Sequence, residues 1–224
     1  MLSFGYGVMR TMRKIVFGFV VLLAGAVQAD EIVIAAFGDS LTQGYGLPAA
    51  QGFVPQLQTW LDAKGADVRL INAGVSGDTT AGGLARVDWT LTPEVDGMIV
   101  ALGGNDLLRG LDPAQARANL SGILSAADRA DVDVLLIGMQ APGNYGDAYK
   151  IQFDSIYPDL AAEFGTLLAP SFFVGLTQGA PSNPAMLRPF LQGDGIHPNA
   201  QGVEKIVEGI GAEVLNLIAG IEGG

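Results

Sequence analysis

The chain has 224 residues with a formal net charge of −11 at pH 7, and 49% of its residues are hydrophobic. This length and composition predict one globular domain and exclude a disordered protein, and the negative charge argues against nucleic acid as a partner. Cysteine is absent and His197 is the only histidine, which excludes disulfides, thiolate catalysis and metal sites with several histidine ligands.

Residues 1–29 have the pattern of a cleaved signal peptide. Basic residues precede the apolar stretch 15–26, and a small-residue sequence, Val-Gln-Ala, ends at Ala29. The alternative is a membrane anchor, but the apolar stretch is shorter than the ~20 residues that a spanning helix needs. We therefore expect a bacterial periplasmic or secreted protein whose mature domain covers 30–224, with no stable membrane insertion after cleavage.

Five short apolar runs predict strands, and segments with helical spacing lie between them. The predicted strands are 31–37, 67–72, 97–102, 132–139 and 166–169. The predicted helices are 51–64, 79–89, one that begins at Asp112-Pro113, 149–164 and a long last helix after Pro198-Asn199. The apolar face of the last helix is expected to contain Val203, Ile206, Val207, Ile210, Val214, Leu215 and Ile218.

This alternation of strands and helices predicts an α/β fold with a parallel sheet covered by helices on both faces. Such sheets bind ligands at the carboxyl ends of their strands. Three of the predicted strands are followed by polar or glycine-rich segments, so the functional residues are expected there.

Ser40 is a candidate nucleophile because it lies just past the first predicted strand, where a turn can expose its hydroxyl at the open edge of the sheet. The alternative is a serine that only caps the next helix. The surrounding residues do not form the G-x-S-x-G elbow of α/β-hydrolases, and that pattern occurs nowhere in the chain.

Asp194 and His197 lie three residues apart, just before the last predicted helix. On a turn, an aspartate that accepts the N–H of one ring nitrogen leaves the other nitrogen free to take a proton from a serine hydroxyl. The alternatives are an aspartate that only builds the turn, or a catalytic carboxylate from elsewhere in the chain.

Two further segments offer hydrogen-bond donors to a developing oxyanion. Gly77 can bring its backbone N–H close to a ligand, and Asn105 carries a side-chain amide. A tight turn or a helix cap is the alternative for each of them.

Four sequence blocks resemble those of SGNH (GDSL) hydrolases, and they occur in the same order. They are GDSLTQGYG around Ser40, NAGVSGDTTAGGLAR around Gly77, GGNDLLRG around Asn105 and DGIHPN around His197. The segments 142–149 and 153–165 resemble in particular the bacterial periplasmic branch of this family, which includes thioesterase I, lysophospholipase L1 and arylesterase.

The resemblance implies a three-layer α/β/α sandwich, flavodoxin-like, with about five parallel strands. It implies that Ser40 is the nucleophile, that Asp194 and His197 complete a triad, and that the N–H of Ser40 forms an oxyanion hole with Gly77 and Asn105. It also implies hydrolysis of acyl esters and thioesters through an acyl-serine intermediate, without a metal or cofactor.

Apolar residues in the loops after the third, fourth and fifth strands are candidates for the surface that binds the acyl chain. They are Leu107, Leu108, Pro142 and Phe190, together with Phe172, Phe173, Met186, Leu187 and Leu191. Ordinary core packing is the alternative for each. Such a lining would favour substrates with medium or long acyl chains, and the expected substrates are aryl esters, lysophospholipids and acyl-CoA. We expect the protein to be a monomer.

Two other functions remain open. A carbohydrate-deacetylating esterase of the same fold would need a polar cleft with an aromatic rim. A non-catalytic module of the same fold would bind lipid or glycan without cleaving it.

Overall fold

The computed structural model describes residues 1–2, 31–177 and 184–223. The predicted signal peptide lies outside these residues, apart from its first two. Within the described residues, no helix is long and apolar enough to cross a membrane. The compact unit that carries the fold is Glu31–Gly224.

A sheet of five parallel strands forms the centre of this unit, in the order β2-β1-β3-β4-β5. The strands are β1 (Ile32–Gly38), β2 (Val68–Gly74), β3 (Gly97–Ala101), β4 (Asp133–Ile137) and β5 (Leu167–Ala169). All five residues of β3 and six of the seven in β1 are buried, because strands in the middle of such a sheet are covered on both faces. The predicted parallel sheet is confirmed.

Nine α-helices are described around the sheet. They are α1 (Ser40–Gln43), α2 (Phe53–Lys64), α3 (Thr80–Thr90), α4 (Gly104–Leu108), α5 (Pro113–Arg129), α6 (Asp147–Phe164), α7 (Val174–Thr177), α8 (Pro184–Leu187) and α9 (Ala200–Gly223). Helices α3, α5 and α6 pack side by side against one face of the sheet, and α2 and α9 against the other. The main core therefore consists of two apolar layers, one on each face, as in a three-layer sandwich.

The predicted elements agree with the observed ones except near their ends. The fourth strand begins one residue later than predicted, because the Val132 N–H bonds to the Ala127 carbonyl, and it ends at Ile137, two residues before the predicted end. On α9, Leu215 is only half-buried, and Leu217 lies in the core beside the other predicted residues. Asp112 caps α5 as predicted, because its side chain accepts the Ala114 N–H.

Four short helices, α1, α4, α7 and α8, were not predicted, and two of them, α1 and α4, follow central strands of the sheet. Helices α1 and α4 begin two and three positions after the ends of β1 and β3, and they have only four and five residues, too few for a periodic pattern. Their position is of interest because α1 begins at Ser40 and α4 contains Asn105, two of the candidate site residues. Since the strand order reverses between β1 and β3, both helices lie at the edge of the sheet where α/β proteins bind ligands.

Candidate active site

Ser40 is the first residue of α1, directly after the turn that ends β1. The carboxylate of Asp39 accepts the Leu41 N–H at 3.0 Å and so caps this helix. Because Asp39 serves as the cap, the Ser40 hydroxyl is free to make another hydrogen bond. The sequence had left open whether Ser40 is only a capping serine, and the capping side chain is instead its neighbour.

A tight loop between α8 and α9 carries Asp194 and His197. An antiparallel bridge pairs Leu191 with Pro198, and the Gln192 N–H donates to the His197 carbonyl at 2.7 Å. Gly195 turns the chain with a φ of +70°, a conformation that glycine adopts without strain. The loop therefore holds Asp194 and His197 in one fixed arrangement.

The two oxygens of the Asp194 carboxylate have different partners. Oδ1 accepts the N–H groups of Ile196 and His197 at 2.9 and 3.0 Å, and Oδ2 lies 2.7 Å from His197 Nδ1. The hydrogen bond from the His197 ring is the main cause that lowers the pKa of Asp194 to about 2. Asp194 thus builds the turn and orients the ring at once, so the two roles that the sequence had left as alternatives coexist.

The His197 ring connects this loop to Ser40. His197 Nε2 lies 2.9 Å from Ser40 Oγ, although the two residues are 157 positions apart in the chain. The ring of Tyr45 lies against the imidazole, with 4.6 Å between ring centroids. With Nδ1–H donated to Asp194, the free Nε2 can accept the Ser40 proton, which is the arrangement that activates a serine nucleophile.

Asn105 and Gly77 lie in the segments that follow β3 and β2. Asn105 Nδ2 is 3.3 Å from Asp39 Oδ2, which places the amide beside the turn that carries Ser40. Gly77 lies in an exposed loop, and its carbonyl accepts a hydrogen bond from Arg109 Nη2 at 2.9 Å. Ser40 and Asn105 line the cleft described next, whereas Gly77 lies outside its lining.

A cleft of about 510 Å³ opens beside Ser40. Its apolar side chains are Leu41, Leu107, Leu108, Met139, Pro142, Phe173, Leu187, Leu191 and Ile196. This volume lies within the ~300–1,000 Å³ that is usual for small-molecule sites. Among the described residues, no group of three or more His, Cys, Asp or Glu side chains is arranged to hold a metal ion.

Phe190 does not line the cleft, contrary to the expectation from the sequence. Its ring lies 5.3 Å from the ammonium of Lys205 on α9 and packs against the core. Phe172 is fully buried, and Met186 is exposed outside the cleft. The sequence shows that these residues are apolar, but only the path of the chain decides which of them face the cleft.

The sequence did not point to several polar residues around Ser40. Besides Asp39, these are Tyr45 against His197, Arg109 on the Gly77 carbonyl, and Arg86, which contacts the ends of two strands. Asp39 and Arg86 stand inside the sequence blocks around Ser40 and Gly77. Their position in these blocks was the only sign in the sequence of a role for Asp39 and Arg86, because Asp39 contacts Asn105 and Arg86 contacts Gly38, which are distant in the chain.

Burial raises the pKa of Asp39 to about 6, against the opposing effect of the hydrogen bonds from Leu41 and Asn105. The folded carboxyl thus holds its proton to a higher pH than the unfolded one, whose pKa is near the ordinary 3.8. Between these two values the folded state binds more protons. The contribution of Asp39 to stability is therefore fully present below pH 3.8 and is lost as the pH rises to about 6.

We expect Asp39→Asn to gain stability relative to the wild type as the pH rises. From about pH 3 to about pH 8 the difference in unfolding free energy should move by about 3 kcal/mol in favour of the variant, since one pKa unit corresponds to ~1.4 kcal/mol. In the variant, the new amide at position 39 faces the amide of Asn105, which lowers the free energy of unfolding by an amount that does not depend on pH. Urea unfolding of both proteins at several pH values measures the difference, and a constant difference would contradict the shifted pKa.

The model of the GDSL-like Lipase/Acylhydrolase family matches residues 36–205, which include all five candidate catalytic and oxyanion-hole residues. The chain belongs to this family. Its parallel sheet and its order of sequence blocks agree with this membership, and the resemblance seen in the sequence is confirmed.

Two relatives and a solved structure extend the comparison. Esterase TesA of Pseudomonas aeruginosa is 40% identical over 186 residues, which cover 82% of this chain and 88% of the relative. The thioesterase 1/protease 1/lysophospholipase L1 of Escherichia coli K12 is 36% identical over 205 residues, which cover 90% and 92%. A crystal structure of TesA has a TM-score of 0.73 at 38% identity and covers 83% of this chain and 99% of that chain.

Proposed function

We propose that this protein is a serine esterase and thioesterase that hydrolyses acyl esters through an acyl-serine intermediate. The observation that carries the proposal is the chain of hydrogen bonds from Ser40 through His197 to Asp194, located beside an apolar cleft. Membership in a family of lipases and acylhydrolases, with relatives named esterase, thioesterase and lysophospholipase, supports the same reaction.

In the proposed reaction, Ser40 Oγ attacks the carbonyl carbon of the ester while His197 Nε2 takes its proton. The tetrahedral oxyanion is stabilised by the N–H groups of Ser40 and Gly77 and by the amide of Asn105. His197 then gives the proton to the leaving alcohol or thiol, and the acyl group stays on Ser40. A water molecule, deprotonated by His197, attacks the acyl-serine; the carboxylic acid leaves and Ser40 regains its proton.

The proposed substrates are esters with medium or long acyl chains, because the side chains beside Ser40 are mainly apolar. Leu107, Leu108 and Pro142, which the sequence predicted for this role, are proposed to contact the acyl chain, together with Phe173, Leu187 and Leu191, which also line the cleft. A carbohydrate-deacetylating enzyme would need polar contacts for the sugar, and this lining disfavours that alternative. We further propose that the protein acts as a monomer, after removal of 1–29, in the periplasm or outside the cell.

The test is hydrolysis of p-nitrophenyl esters, from acetate to palmitate, by the mature protein and by Ser40→Ala. We expect the wild type to be most active on hexanoate or a longer ester and Ser40→Ala to be inactive on all of them. A fluorophosphonate should label the wild type and not the variant. A folded wild type that neither hydrolyses any ester nor reacts with the fluorophosphonate would contradict the proposal and favour a binding module. A maximum at acetate would contradict the proposed acyl specificity.

A further inference from the structure

We infer that Arg86 is a positioning residue for the loop that carries Gly77. Its guanidinium connects this loop to the ends of β1 and β2, and so fixes the Gly77 N–H relative to the Ser40 hydroxyl. The inference rests on the proposed function, in which Gly77 is one of the oxyanion donors.

Three hydrogen bonds leave the Arg86 guanidinium in three directions. Nη2 donates to the Gly38 carbonyl and Nη1 to the Ala73 carbonyl, both at 2.9 Å, and Nε donates to Asp78 Oδ2 at 2.6 Å. Gly38 lies two residues before Ser40, and Asp78 directly follows Gly77. One planar group thus connects the turn of the proposed nucleophile to the loop of the proposed donor.

The Gly77 loop depends on such polar contacts because little of it is buried. Residues 75–77 are all exposed, so burial of apolar surface does not fix their positions. The Val75 N–H donates to the Gly38 carbonyl at the end of β1 at 3.0 Å, and within the loop the Asp78 N–H donates to the Val75 carbonyl at 3.1 Å. Without Arg86, the carboxylate of Asp78 would lose its connection to the strands.

The hydrogen bonds of position 86 require arginine. The Arg86 guanidinium lies 4.1 Å from the centroid of the Phe37 ring. The Arg86 side chain is 22% exposed and the Asp78 side chain 18%. The ion pair is therefore partly shielded from water. For this reason, dissolved salt screens its attraction less than that of a fully exposed ion pair. A lysine at this position would keep the charge, but a single ammonium cannot replace a planar fork that reaches three acceptors.

Loss of the Arg86 contacts is expected to displace the Gly77 N–H and so to lower kcat. An oxyanion develops only in the transition state, so a displaced donor slows the chemical step and changes ground-state binding little. A displacement of about 1 Å can lower a rate about a hundredfold. Arg86 itself is not a catalytic residue, since it contacts backbone carbonyls and Asp78 and acts through the position of Gly77.

The experiment compares Arg86→Lys with the wild type and with Arg69→Lys, using the best p-nitrophenyl ester. Arg69 is a matched control because it also pairs with carboxylates, Glu31 and Glu94, but near the amino end of β2, away from Ser40. We expect Arg86→Lys to lower kcat by about tenfold to a hundredfold with KM changed less than about threefold. Arg69→Lys should keep the kcat of the wild type.

A folded Arg86→Lys variant with kcat within about twofold of the wild type would overturn the inference, as would a loss confined to KM. If Arg86→Lys does not fold, Asp78→Ala decides, because it removes the contact between the loop and Arg86 and leaves the strand contacts of Arg86 in place. The same fall in kcat is then expected, and an unchanged kcat would overturn the inference. An inactive wild type would instead contradict the proposed function itself.

Discussion

Replacing His197 with alanine should lower kcat for ester hydrolysis by on the order of 10⁶, and replacing Ser40 should lower it as much. The imidazole is the only group within hydrogen-bonding distance of Ser40 Oγ among the side-chain contacts of the described residues. Since the chain has no other histidine, no second imidazole can take its place. Without a base, the serine hydroxyl remains protonated and is a weak nucleophile.

Asp194→Asn should have a smaller effect, on the order of 10⁴ in kcat. An asparagine can still accept the backbone N–H groups of Ile196 and His197, so the turn should survive. Its amide nitrogen, however, would favour the tautomer with the proton on Nε2, which cannot accept the Ser40 proton. The double variant of Ser40 and His197 should be no slower than either single variant, because the two residues act as one unit.

The measurement is kcat on a p-nitrophenyl ester, with the folded state of each variant verified by circular dichroism. Asn216→Ala is a suitable control, because Asn216 is exposed on α9 and its side-chain amide donates a hydrogen bond to Glu213 on the same helix. It should keep the activity of the wild type. If His197→Ala retained more than about a hundredth of the wild-type kcat, another group would have to be the base.

Asn105→Ala should lower kcat by about 10² to 10³, the usual effect of removing one oxyanion donor. Asn105 Nδ2 donates to Asp39 Oδ2 at 3.3 Å, a long hydrogen bond. The amide can therefore turn towards a developing oxyanion at small cost. KM should change little, because the interaction forms mainly in the transition state.

Kinetics of Asn105→Ala with the same ester measure this effect, and Asn216→Ala again serves as the control. A phosphonate that mimics the tetrahedral intermediate should react with the variant more slowly than with the wild type. If kcat fell by less than about fivefold in the folded variant, Asn105 would not be an oxyanion donor.

The sequence by itself determined the fold class, because its signals are local. A short, continuous apolar run such as 97–102 is typical of a strand buried on both faces, and helices that alternate with such runs indicate parallel connections. The spacing of Asp194 and His197 is also a local signal, since three residues on a turn suffice to bring the two side chains together. The four sequence blocks that resemble those of SGNH hydrolases added the prediction that Ser40 is the nucleophile and that Gly77 and Asn105 are oxyanion donors.

The tertiary structure decided which residues meet across the chain. The hydrogen bond between Ser40 and His197 joins residues 157 positions apart, and the hydrogen bond from Arg86 to the Gly38 carbonyl joins residues 48 positions apart. Phe190 was predicted at the cleft and lies against α9, because an apolar side chain fits a core or a cleft equally well. Its direction depends on how the loop after β5 packs, and hydrophobicity alone carries no information on that direction.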